Sequence, residues 1–95
     1  MSNINITYPM PGNLAQSKEV IDELLQDLEN KYHIHHQEIG ENHYHLKGSG
    51  IKGEVKLDHQ ELIITAQLNF MMMAFKPIIE KEIHRQLDNS FNHLS

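Results

Sequence analysis

The chain has 95 residues, of which 39% are hydrophobic and 22% charged, with a formal net charge of −5 and a mean hydropathy of −0.51. That length allows one modest core and excludes a second domain or a deep internal active site. The lack of cysteine excludes disulfides, thiolate metal sites and thiol nucleophiles, and the acidic balance argues against a general nucleic-acid binder.

Asn3 to Tyr8 alternates, with isoleucine at 4 and 6, and reads as a first strand that Pro9-Met10-Pro11-Gly12 breaks. Asn13 and Gln16 make a weak capping box for a helix over Leu14 to Lys31. Leu14, Ile21, Leu24, Leu28 and Tyr32 form its apolar stripe, while Lys18, Glu19, Asp22, Glu23, Asp27 and Glu29 mostly occupy the solvated remainder. Four strands are expected next: His33 to Ile39, His43 to Lys47, Ile51 to Leu57 and Leu62 to Phe70, with turns at Gly48-Ser49-Gly50 and Asp58-His59-Gln60. Linkers this short permit only antiparallel neighbours. Ile51, Gly53, Val55 and Leu57 share one face with Leu62, Ile64, Ala66, Leu68 and Phe70; Lys52, Glu54, Lys56, Ile63, Thr65, Gln67 and Asn69 lie on the wetter one. Pro77 suits the first turn of a last helix, along which Ile79, Ile83, Leu87 and Phe91 form a row beside Ile78 and Leu94. The expected fold is α+β in the order β-α-β-β-β-β-α: one domain, residues 1–95, with two helices on one face of an antiparallel sheet of four to five strands.

Eight histidines make the surface charge sensitive to pH near their titration range: protonating all of them would carry the formal charge from −5 to +3. A three-residue loop, Gly40 to Asn42, would pair Ile39 with His43 and Gln37 with His45. His33, His35, His43 and His45 would then share one face, within reach of a borderline divalent ion. A wet sheet face tolerates histidine without any such role, and a slip of one residue would disperse the set. His36 falls on the other face, as a partly buried residue hydrogen-bonded near the core; His59, His84 and His93 read as isolated surface residues.

No serine lies in a nucleophile elbow, and Ser49 between two glycines is a turn residue. Gly48, Gly50 and Gly53 precede no helix and form no phosphate cradle; Glu80 and Glu82 belong to a helix surface. The expectation is a non-enzyme with no cofactor. The remaining constellation is Phe70-Met71-Met72-Met73-Ala74-Phe75. It is either a buried strand-to-helix corner or an adaptable apolar contact surface formed by Phe70, Met71, Met72, Met73, Phe75, Ile78 and Ile79. No basic segment followed by an apolar run opens the chain, and the Phe70–Phe75 run is too short to span a bilayer. A cytoplasmic protein without a membrane span is therefore expected.

Ile4-Asn5-Ile6, the helix to Tyr32, Gly40-Glu41-Asn42-His43-Tyr44-His45-Leu46, Gly48-Ser49-Gly50-Ile51-Lys52-Gly53, Leu68-Asn69-Phe70, Phe75-Lys76-Pro77-Ile78-Ile79-Glu80-Lys81-Glu82-Ile83 and Gln86-Leu87-Asp88 occur in order along nearly the whole chain. Together they resemble the polyhydroxyalkanoic acid system protein family. Pro9 to Gly12, the three consecutive methionines and the histidines of the central hairpin depart from that pattern. The resemblance implies an accessory role at polyhydroxyalkanoate granules, with the granule surface, a granule-associated protein or a second copy as partner, and it implies no catalytic residues. Two other readings stand beside it. One is an apolar-ligand pocket or cryptic enzyme site of helix-grip type between sheet and last helix. The other is a histidine-based metal or pH sensor.

Overall fold

A computed structural model describes residues 2–10 and 14–94, with backbone alone at 14 and at 91–94. The elements are β1 (Ser2–Pro9), α1 (Leu14–Tyr32), β2 (His35–Gly40), β3 (His43–Gly48), β4 (Ile51–Asp58), β5 (Glu61–Leu68), a 3-10 helix (Phe70–Phe75) and α2 (Lys76–Leu94). Pro77 lies in the first turn of α2. The expected cap at Asn13 lies outside the described residues.

The five strands form one antiparallel sheet in the order β1-β5-β4-β3-β2. Tight turns dictate the neighbours from β2 to β5. Between β4 and β5, His59 and Gln60 both adopt positive φ, 49° and 65°, which is the backbone of a type I′ hairpin turn whose twist matches the strands. The first strand then returns to the far edge, pairing Ile4 with Ala66 and Ile6 with Ile64.

Alternation sends Ile4, Ile6, Tyr44, Leu46, Ile51, Val55, Leu62, Ile64, Ala66 and Leu68 to one face, where all are buried. Val20, Ile21, Leu24, Leu25 and Leu28 of α1, and Ile79, Ile83 and Leu87 of α2, pack into the same cluster. Both helices therefore cover one side of the sheet. Two polar links hold them in place. Lys31 Nζ lies 2.8 Å from Glu82 Oε1, and Tyr8 donates its O–H to Asp88 Oδ1 at 2.5 Å. Arg85 and Lys31 hold the Glu82 carboxyl down at about 2; the bond to Asp88 pushes the Tyr8 phenol up to about 12.

Pro9, expected to break β1, is instead its last residue, paired with Glu61, and several other ends shift by one. Three further boundaries move, each for a local reason. His33 does not start β2. It caps α1 in the left-handed region (φ 57°): its N–H reaches Glu29 O at 3.0 Å, the bond of an αL helix ending, and Ile34 N–H reaches Leu28 O at 3.3 Å. The β2–β3 loop is shortened to Glu41 and Asn42, with Asn42 at φ 57°, so Gly40 rather than Ile39 pairs with His43. A bulge absorbs the extra residue and leaves Ile39 exposed, while Gln37 still meets His45. The last strand ends at Leu68, paired with Ser2 and Ile51, and not at Phe70, because Asn69 caps the 3-10 helix that starts there.

Candidate functional site

Beyond Leu68 the chain turns on Asn69. Its side-chain oxygen accepts the Met72 N–H at 3.0 Å, and its own N–H reaches Gly50 O at 2.9 Å. This cap winds Phe70–Phe75 into a 3-10 helix with no fully buried residue. Gly50, at φ 80°, leaves room for it: a Cβ there would lie 2.7 Å from both Asn69 Oδ1 and Met72 Cγ. Phe70 is 86% and Met71 79% exposed, and Met73, Phe75 and Ile78 are also open to solvent. Met72 packs partly against the core. Ile79 is buried in it and drops out of the expected contact set. Large apolar side chains grouped at one corner of a small domain form the kind of patch that contacts another apolar surface.

The histidines are separated more than their spacing suggested. His33 sits at the helix cap. His35 pairs with Lys47 across the ladder and lies 3.4 Å from Glu29 Oε1. His43 and His45 remain together, their ring centroids 6.2 Å apart. Between them stands a group that spacing alone did not reveal, Glu54, directly opposite His45 on β4. Its Oε2 lies 3.0 Å from His43 Nε2 and its Oε1 3.7 Å from His45 Nε2. The bond to His43 lowers the Glu54 carboxyl below its usual range. Cross-strand pairing of alternating residues was the signal that identifies Glu54, once β3–β4 register is fixed. Among the described residues no group of three His, Cys, Asp or Glu side chains is disposed to hold a metal ion. His36 is partly buried against Tyr44, as expected, but its Nδ1 makes no hydrogen bond, the nearest carboxylate being Glu29 at 3.7 Å.

The space between sheet and helices is packed by Leu24, Leu25, Leu28, Val55, Leu62 and Leu68, each nearly or wholly inaccessible. These side chains fill the space in which an apolar pocket of helix-grip type was expected. A concavity of about 910 Å³ lies on the opposite, open face. Its floor follows the row Ile4, Ala66, Gly53, Leu46 and His36 across all five strands. One wall is the neighbouring row Asn3, Gln67, Lys52, Lys47 and His35; the other is Asn5, Thr65, Glu54, His45 and Gln37. A smaller hollow of about 270 Å³ shares Lys47, Lys52 and Gln67 and runs on to Gly50 and Asn69.

An open antiparallel sheet backed by two helices, with an exposed apolar corner and a polar trough, defines a small two-layer α+β protein. Its family is specific: a family model described as "Putative polyhydroxyalkanoic acid system protein" matches residues 4–91, and the chain belongs to that family. No curated protein and no solved structure matches the chain. Among the described residues no helix is long and apolar enough to cross a membrane.

Proposed function

We propose that the protein is a non-enzymatic accessory module of the polyhydroxyalkanoate storage system, acting in the cytoplasm through the corner formed by Phe70, Met71, Met73, Phe75 and Ile78. The observation that carries this reading is the exposure of these apolar side chains on a chain whose core is otherwise closed. Family membership supplies the context. Methionine and phenylalanine suit a partner without fixed shape, since the thioether chains adapt and the rings bring large apolar area. Covering one such side chain fully contributes about 1.5–3 kcal/mol. The granule surface or a granule-associated protein is the contact, and self-association through the same corner is its competitor.

Co-sedimentation of the untagged protein with native polyester granules, run with light scattering for mass, tests this. The wild type is expected to sediment with granules. A folded Phe70→Ser/Met71→Ser variant is expected to bind at least about tenfold more weakly, given the area removed. Unchanged granule binding and unchanged mass in that variant would sink the proposal.

A further inference from the structure

We propose that the trough on the open face of the sheet binds an extended chain molecule with one anionic end, the anion seated at Lys47 and Lys52 and the chain's oxygen atoms met by Gln67 and Asn3. Lys47 and Lys52 are directly opposite each other on β3 and β4. Like charges so placed oppose sheet formation, and neither lysine makes an ion pair among the described residues. The charge pair stands out in a chain of net charge −5. The carboxylate on the trough wall, Glu54, is turned to His43 and His45 instead. An anion between the lysines removes their repulsion and gains two charge-assisted hydrogen bonds.

The same wall continues from Lys52 to Gln67 and Asn3, whose side-chain amides offer N–H donors to carbonyl or hydroxyl oxygens. On the facing wall Asn5 offers a further amide N–H and Thr65 a hydroxyl. The trough is long enough to cross every strand, and its volume of about 910 Å³ lies in the range of small-molecule sites. Its floor is backbone, because the side chains of Ile4, Ala66 and Leu46 in that row are buried on the helix-covered face. Glu54 on the second wall disfavours a polyanion along the full length, so the ligand is a chain with a single charged terminus. The storage-system reading enters only as the source of the probe, a linear hydroxybutyrate trimer, which carries one carboxylate and a row of ester oxygens.

The test is a titration of the isotope-labelled full chain, followed by amide chemical shifts, with acetate and inorganic phosphate as comparison arms. Shifts are expected at Lys47, Lys52, Gly53 and Gln67, with the trimer binding at least about tenfold more tightly than either small anion. A Lys47→Ala/Lys52→Ala variant, changed only at exposed positions, is expected to lose at least about tenfold in affinity. The proposal is overturned if no shifts occur, if they are confined to Phe70–Phe75, if the double variant binds as well as wild type, or if acetate and phosphate match the trimer. The two readings fail separately: the lysine variant is expected to sediment with granules as wild type does, and the corner variant to bind the trimer unchanged.

Discussion

Leu68 and Phe70 are two residues apart, both apolar, and by alternation both belong to the core face of the last strand. Leu68 is 0% exposed and Phe70 86%. The difference shows that burial in this protein is decided by where partner strands end. Leu68 is flanked by Ser2 of β1 and Ile51 of β4, and α2 packs over the same cluster. One residue later Asn69 N–H reaches Gly50 O of the β3–β4 turn rather than a residue of β4. Asn69 diverts the chain into a 3-10 helix, whose tight winding leaves only Met72 partly packed against the core. Core and corner thus share a composition and differ in what covers them.

That contrast can be broken most forcefully in the core. Leu62→Ala, at a wholly inaccessible site, is expected to cost about 2–5 kcal/mol of unfolding free energy in denaturant titration. The corner variant Phe70→Ser/Met71→Ser is expected to cost no more than about 0.5 kcal/mol per site while removing the granule contact. Comparable losses in the two variants would mean that the corner is covered within the folded chain.

Gly53→Ala tests how closely β4 and β5 must approach on the helix-covered face. The added Cβ meets Thr65 O and the Ala66 backbone, which cannot move without disturbing the β4–β5 ladder. A loss of about 1–3 kcal/mol is expected, with amide shifts centred on Thr65 and Ala66. A neutral variant would show that the strands separate readily there.

The smallest effect expected is electrostatic. Glu82 has its carboxyl held at about 2 in the folded chain by Arg85 and Lys31. A depressed carboxylate pKa contributes stability above its ordinary unfolded value, and that contribution is lost as pH falls from there toward about 2. Lys31 and Arg85 are about half exposed, so the network is screened and worth only about 0–1 kcal/mol per pair. Thermal melts of Glu82→Gln should therefore fall less steeply than wild type on acidification below the usual carboxylate range. A wild-type slope in the variant would assign the acid limb to other carboxylates.

Much of this fold was legible without coordinates. The α1 and α2 stripes, the short turns and the alternation of Ile51 to Leu57 and Leu62 to Leu68 are local patterns, and each predicted its element. The corner was legible as a run of apolar residues but not as a surface, since nothing in Phe70 to Phe75 states where β1 and β4 stop. Of the histidine set, His35, His43 and His45 do share the open face, while His33 was claimed by a helix cap and Ile39 by a bulge, both products of turn geometry. Glu54 entered the His43–His45 group only through register, because residues on separate strands become neighbours by pairing.

By itself, then, the sequence determined the order β-α-β-β-β-β-α, the antiparallel hairpins and most of the residues that face the core, because period and turn length act within a few residues. Only the tertiary structure decided that β1 closes beside β5, that the trough crosses five strands with Lys47 set against Lys52, and that the methionine-rich corner is left uncovered. Those features depend on contacts between segments far apart in the chain, and no local pattern encodes which distant strand arrives, or where it ends.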